Sequence, residues 1–410
     1  MSTTILGAGP IGLALAYEIA KRGEEVIVIS TSRNTGKAAE VNAGWIVPIM
    51  ASPVPAPGML KKSIAWMLKS QSPLKISMSP KLNHITFMAQ MLANTSEKRF
   101  AHGLHALSEF GRGALESFDD YQSEGVDFEL HKTGVLMAFL SEKELEAHFA
   151  EFESSESYGL KKVIRLSGKE MRSIEPALSG AITSGINCSD QYSLNPTSLM
   201  VGLKSACKKL GVKFYETADQ CNIKIVRPNK VEVTYENVAM QTDHLIIAAG
   251  VESRKIMNQV GFDLPLKFGK GYSLDFSQEK RISHALYLSE EKVAVTPMTE
   301  SLRLAGTMEF GGDPLKIRQQ RVDGILTSSA KYFSFALNKD AHVGMGLRPM
   351  TPDGMPVIGK VPNVPNVFIA TGHAMLGVTL APATAKLLAD LIFSGTDSEH
   401  LQNFSPERFW

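Results

Sequence analysis

Cysteine is scarce in this chain of 410 residues: only Cys188, Cys207 and Cys221 occur. They form no CxxC pair and cannot all pair with one another, so neither a disulfide framework nor a zinc site is expected, and a reducing compartment suits them. Excess charge is lacking as well. Lys and Arg number 43 against 42 Asp and Glu, a net charge of +1, so nothing global draws the chain to nucleic acid. The N-terminus has no basic region ahead of an apolar run; Met1, Ser2 and Thr3 lead straight into Ile5 and Leu6, and no secretory signal is read. A cytoplasmic location is therefore expected. Nor is there an apolar run fit to span a bilayer, because the least polar long stretch, Val367 to Phe393, carries His373, Lys386 and Asp390, each costly in hydrocarbon.

What is present is ordinary globular composition, 44% apolar and 21% charged. At roughly 150 residues per domain the length implies two or three domains. The opening reads as strand, glycine turn, helix and second strand. Thr4 to Leu6 is short and apolar, Gly7-Ala8-Gly9-Pro10-Ile11-Gly12 has G-x-G-x-x-G spacing, Leu13 to Arg22 is helical, and Glu25 to Ile29 is a buried strand. In such a turn the first glycine permits the tight bend, the second lets a pyrophosphate approach the backbone, and the third lets helix and strand pack closely. The phosphates would sit on the helix N-terminus, where unpaired N–H groups favour anions. The second strand should then end in Asp or Glu to hold the ribose diol. Here stands Ser30, followed by Thr31, Ser32 and Arg33. A hydroxyl cannot accept from both ribose oxygens as a carboxylate does, and the run equally suits the 2′-phosphate of NADP, with Arg33 as a charged fork. The N-terminus alone leaves the cofactor open.

No repeat or low-complexity linker divides the rest. Leu104, Leu107, Phe110, Ala114, Phe118 and Tyr121 recur at helical spacing, and Ser141 with Glu144 is a candidate capping box. A helix is expected between Asn195-Pro196 and Gly211. Strands are expected over Val212 to Tyr215, Lys230 to Val238, His244 to Ala249 and Val367 to Thr371, and a last helix over Pro382 to Phe393. Strands drawn from the start, middle and end of the chain suggest one dinucleotide domain interrupted by a second.

Taken with the opening glycines, several motifs resemble the FAD-dependent D-amino-acid oxidase superfamily. They are Asn42-Ala43-Gly44, Glu175-Pro176-Ala177-Leu178, Leu245 to Gly250, Gly346-Leu347-Arg348-Pro349 and Thr371-Gly372-His373. Ala51-Ser52-Pro53 with Ala56-Pro57-Gly58, Lys270-Gly271-Tyr272-Ser273, Arg303 to Thr307, and Met350 to Pro356 are most similar to its bacterial D-amino-acid dehydrogenase branch. The resemblance runs over essentially the whole chain. It implies FAD rather than NADP. It also implies an α/β fold in which a Rossmann-type FAD-binding domain (1–52, 181–262 and 335–400) interleaves with an α+β substrate domain built on an antiparallel sheet (53–180 and 263–334).

The implied activity is oxidation of a D-amino acid, or of a cyclic imino acid of the D-proline or hydroxyproline type, by hydride transfer from Cα to flavin N5. The cofactor is the electron sink, so the protein need supply no nucleophile or metal. By resemblance Arg348 clamps the substrate carboxylate, since a guanidinium offers a bidentate match. Tyr272 reaches over the substrate or is a plain sheet tyrosine, and His373 stands beside the flavin as a polarising or simply packed histidine. Lys270 and Arg303 are weaker candidates, and Arg303 reads equally as solvent-facing. Flavin contacts are expected from Gly7, Gly9, Pro10, Ile11, Gly12, Ser30, Arg33, Asn42, Ala43, Gly44, Gly250 and Gly372, with Met375 and Leu376 lining an apolar pocket. Gly377-Val378-Thr379, ahead of the last helix, turns N–H groups to the flavin edge.

One local charge excess bears on the electron acceptor. From Pro53 to Phe100 stand Lys61, Lys62, Lys69, Lys75, Lys81, Lys98 and Arg99 against Glu97 alone, with Ile64, Trp66, Met67 and Leu68 among them. A basic amphipathic stretch with Trp suits an anionic membrane surface, and the dehydrogenase branch passes electrons to a quinone or respiratory chain; a helix packed on the core with solvated lysines fits equally. The alternatives on the same evidence are an amine oxidase of glycine or sarcosine type that reduces oxygen, and a non-catalytic dinucleotide-binding protein.

Overall fold

The computed structural model of the protein describes residues 1–31, 38–59, 72–77, 82–156, 163–218, 220–227, 230–277, 282–337, 340–396 and 398–410. The first strand, Ser2–Leu6, lies at the middle of a six-stranded sheet. It pairs in parallel with Glu25–Thr31 on one side and with His244–Ile247 on the other. Lys213–Thr217 extends the sheet beyond Glu25–Thr31, and Val367–Thr371 then Val357–Lys360 extend it beyond His244–Ile247, the last pairing alone being antiparallel. Central parallel strands are buried on both faces and read as continuous apolar runs. Their alternate residues accordingly enter two different cores. Ile5, Val28 and Ile246 pack against helices Pro10–Lys21, Pro196–Lys209 and Ala381–Ser394. Leu6, Ile29 and Ile247 pack against helix Ser253–Gln259 and a small antiparallel sheet, Asn222–Arg227, Lys230–Tyr235 and Val238–Thr242.

The periodic stretch around Leu107 forms two helices, Glu97–Gly111 and Ala114–Ser123, because Gly113 adopts φ +80° and breaks the run. Phe110, Ala114, Phe118 and Tyr121 nonetheless share one core with the first helix. Residues expected in the substrate domain thus shield the cofactor sheet. The predicted strand from Lys230 is a hairpin, folding back at Glu236 and Asn237, both with positive φ. The capping box closes at Ser167 and Glu170, while the Ser141 N–H donates to Glu290 at 3.1 Å.

A nine-stranded, mainly antiparallel sheet forms the second layer. Its order is His342–Met350, Lys267–Ser277, Ser301–Phe310, Val293–Pro297, Ala285–Leu288, Val135–Phe139, Ser184–Cys188 and Ile164–Ser167, with Leu74–Ile76 beside Ser301–Phe310. Boundaries at 181 and 335 assign Ser184–Cys188 and His342–Met350 to the cofactor domain; both belong to this sheet instead, where Ile186 pairs with Met137 and Gly346 with Gly271. One face of the sheet packs on helix Gln319–Ser329 through Leu274, Phe276, Leu304, Val322 and Ile325. Its other face meets the C-terminal ends of the parallel strands. Glu175 is structural: it accepts hydrogen bonds from the Ser283 and His284 N–H groups and fixes the turn that feeds this sheet. Among the described residues no helix is long and apolar enough to cross a membrane.

Candidate functional site

The glycine turn is built from three different constraints. Gly7 has φ +119°, and a Cβ there would lie 2.3 Å from the Ala248 carbonyl oxygen; one on Gly12 would lie 1.9 Å from the Gly7 carbonyl oxygen. These two glycines are demanded by the protein's own packing. Gly9 is not, because nothing stands within 4 Å of its missing Cβ. Gly9 caps the first helix with Pro10 at its first position, so the free N–H groups of that turn open onto this space. The one glycine without a protein reason faces the place where a pyrophosphate would lie.

That space belongs to a crevice of about 710 Å³ between the two sheets, at the C-terminal ends of the parallel strands. This is where open α/β sheets bind ligands. At one end it is lined by Ser30, Thr31 and Glu216, in the middle by Gly7 to Ile11, Asn42 and Gly250, and at the other by Arg348, His373, Gly377 and Val378. The donor turn, the length of the lining and the open position at Gly9 fit an extended dinucleotide such as FAD. Ala43 and Gly44 hold the frame rather than the cavity. The Ala43 carbonyl accepts from Thr296 at 2.6 Å, the Gly44 N–H donates to Asn42 Oδ1 at 2.7 Å, and a Cβ on Gly44 would strike the Leu194 carbonyl. Thr379 likewise donates to the Trp45 carbonyl at 2.9 Å. Arg33 lies outside the described residues.

Arg348 comes from strand His342–Met350, opposite Gly269. Its guanidinium lies across Gly271, where any Cβ would sit 2.2 Å from Nη1. The Lys270-Gly271-Tyr272 motif therefore serves the site through its glycine. Nη1 donates to the Thr307 carbonyl at 2.9 Å. Thr307 holds φ +61° in mid-strand, a costly conformation for a β-branched residue, and the strand register shifts opposite it. Among the described residues no carboxylate pairs with Arg348. Burial alone pushes its pKa down to about 10, still well above neutrality, so the cation persists and awaits an anion.

Tyr272 lies on strand Lys267–Ser277, on the face opposite Gly271. It is fully buried, its hydroxyl donates to Glu309 at 3.1 Å and accepts from the Arg318 N–H, and it does not line the crevice. Burial, then the Glu309 charge, push its pKa up to about 12. Lys270 shares that face, with Nζ bonded to the carbonyls of Asp313 and Lys316 and 3.5 Å from Glu309. Arg303 does not face solvent. It is bidentate to Asp275 at 2.6 and 2.9 Å and donates to the carbonyls of Glu40 and Asn42, clamping that segment onto the sheet.

His373 lines the crevice but is nearly enclosed, with Nε2 3.0 Å from Thr384 Oγ1. Burial drives its pKa down to about 3, so the ring is neutral at physiological pH and is no proton acceptor of note. Gly372 at φ +77° and Ala374 at φ +50° turn the chain sharply there. Ala374 consequently lines the crevice; Met375 is 49% exposed and Leu376 packs on the first core, so neither lines it as expected. Gly377 has only a His373 carbon, 3.7 Å away, near its missing Cβ. Reading the sequence missed Glu216, Thr217 and Lys204 in the lining. The strand expected to end at Tyr215 runs on to Thr217, and the exposed Glu216 at its end was the available signal.

Comparison with known proteins agrees with this architecture. The sequence matches the family described as "DAO: FAD dependent oxidoreductase" over residues 2–391. It is 31% identical over 413 residues to a D-amino acid dehydrogenase of Neisseria meningitidis serogroup C (strain 053442), and 30% identical over 412 residues to one of Vibrio atlanticus (strain LGP32), covering 97% of each chain in both cases. Among solved structures, glycine oxidase from Geobacillus kaustophilus superimposes with a TM-score of 0.75 at 20% identity, over 98% of this chain and 97% of that one.

Proposed function

This chain belongs to the DAO family of FAD-dependent oxidoreductases, and from that premise we propose that it is a dehydrogenase that oxidises a D-amino acid, or a cyclic imino acid of the proline type, to the imino acid. The cofactor is FAD. When bound it supplies the acceptor for the hydride leaving Cα. The protein's share is to hold and desolvate the substrate.

One observation carries the reading: Arg348 is a half-buried guanidinium at the end of a cofactor crevice, and among the described residues no carboxylate pairs with it. A cation partly withdrawn from water without a counter-charge is costly, and a planar fork satisfied on one side by Thr307 offers its remaining donors to a carboxylate. Neutral His373 contributes shape and a low-dielectric wall, which strengthens that ion pair. The relatives named dehydrogenases favour transfer to an acceptor other than oxygen. Anaerobic bleaching of the flavin by individual D- and L-amino acids, including both prolines, tests the proposal. Reduction by D-amino acids is expected; bleaching only by L-isomers or by glycine and sarcosine, or by nothing, would overturn it.

We further infer that electrons pass to a respiratory quinone at a membrane surface. Helix Leu82–Ala93 buries Phe87 and Met91 and exposes Leu82, Ile85 and Leu92 on its other side, with Lys98 and Arg99 at the start of the next helix. Lys61, Lys62, Lys69 and Lys81, and the apolar Ile64 to Leu68, lie outside the described residues. Exposed apolar groups beside basic ones suit an anionic interface. Binding to anionic vesicles that is lost in high salt supports this, and stoichiometric peroxide from a protein that never binds vesicles contradicts it.

A further inference from the structure

The adenosine end of the crevice lacks the acid expected there, since strand Glu25–Thr31 finishes in Ser30-Thr31. The neighbouring parallel strand supplies one. Its register sets Glu216 directly beside Ser30. Residues paired in parallel register point to the same face of a sheet, and adjacent strands lie only about 4.8 Å apart. Both residues line the crevice. Glu216 is exposed, and among the described residues its carboxylate has no partner. Neighbouring acids are by contrast engaged: Glu25 pairs with Lys213 at 3.0 Å, and Glu236 accepts from the Ala218 N–H at 3.0 Å.

We propose that Glu216, reaching across from the adjacent strand, is the carboxylate that holds the adenosine ribose hydroxyls of FAD in place of the missing acid at Ser30. A carboxylate accepts from both hydroxyls at once, whereas the Ser30 hydroxyl satisfies one. It also repels a 2′-phosphate, so the same residue settles the choice between FAD and NADP that the Ser-Thr-Ser-Arg run leaves open. Glu216 acts on cofactor affinity and has no part in the chemistry. The inference rests on the family's FAD and is independent of the proposed substrate.

Apoprotein titrated with FAD and with FAD lacking the adenosine 2′-hydroxyl, followed by flavin fluorescence, provides the test. Glu216→Ala is expected to weaken FAD at least about tenfold, equivalent to about 1.4 kcal/mol, and to lose the preference of the wild type for FAD over the deoxy analogue. Adding Ser30→Glu to Glu216→Ala should restore both. Equal affinity of wild type and Glu216→Ala for FAD overturns the inference, as does an equal loss for both ligands. A wild type that binds neither ligand would overturn the FAD assignment and this inference with it.

Discussion

The glycine turn allows packing and ligand demands to be separated by three single methyl groups. In Gly12→Ala the new Cβ would stand 1.9 Å from a backbone oxygen, which no rotamer change relieves. Strand and helix must move apart, and overpacking of this kind costs about 1–3 kcal/mol. Gly7→Ala adds to its 2.3 Å clash a φ of +119°, which L-residues avoid by roughly 1–2 kcal/mol, so a total of about 2–5 kcal/mol is expected. Gly9→Ala meets nothing within 4 Å and has φ −76°. Its effect on the apoprotein should stay within about 1 kcal/mol of the wild type, the gain through the unfolded chain being offset by the poorer helix N-cap that alanine makes. The same methyl group occupies the cofactor's space and holds phosphates off the helix N–H groups, so FAD should weaken by about 10–100-fold, the loss of a charged hydrogen bond. Urea unfolding of the three apoproteins, with FAD titration of each, gives both quantities. The reasoning is refuted if Gly9→Ala destabilises the apoprotein as much as Gly12→Ala, or if it binds FAD like the wild type.

Three further expectations concern Arg348, Tyr272 and His373. Arg348→Lys retains charge but loses the fork, and should raise the Kd of a carboxylate ligand, read from the flavin spectrum, by about 10–100-fold; wild-type affinity would remove Arg348 from the site. Tyr272→Phe should leave substrate KM within about twofold while lowering stability by about 1–3 kcal/mol, because the hydroxyl's bonds to Glu309 and from the Arg318 N–H are lost and neither faces the crevice; a large KM change at unaltered stability would return Tyr272 to the substrate. His373 is held neutral down to a pKa of about 3 by burial, against an ordinary value near 6.5. Between those values the unfolded chain binds a proton that the native protein does not, so stability present above about pH 6.5 falls as pH drops, by at most about 1.4 kcal/mol per pH unit. His373→Asn should flatten that limb in pH-dependent unfolding, and identical slopes would contradict the assignment.

Local signals were legible from residues alone. The opening turn, the strands ending at Thr371 and close to Ile247, and the helices after Asn195 and before Gly395 all follow from periodicity and capping, which depend on near neighbours, whereas the strand expected to end at Tyr215 runs on to Thr217. Which sheet a strand joins does not. Ser184–Cys188 and His342–Met350 look like any buried strand, and only pairing with Met137 or Gly271 decides their layer. The Tyr272 position failed for a related reason. A strand alternates faces, so locating Arg348 beside Gly271 excludes its neighbour, and the register shift between Lys270 and Tyr272 is invisible in sequence. Arg303 seemed free because its acceptors, the carbonyls of Glu40 and Asn42, stand some 260 positions away. Glu216 was overlooked because its significance lies in being beside Ser30, a relation that exists only in the sheet.

The middle position of the first strand also shapes how the molecule is made. Thr3 must pair with His244, and Arg22 on the first helix with Asp390, so each leaves the ribosome about 12–75 s before its partner at roughly 5–20 residues per second. Such a topology has high contact order, and folding slows when loop closure precedes reward. Until the 240s arrive, Ile5 and its neighbours present an open apolar strand edge, the kind of surface that templates aggregation. Overexpression of this chain should therefore be limited by chaperone supply and growth temperature more than by the stability of the finished fold.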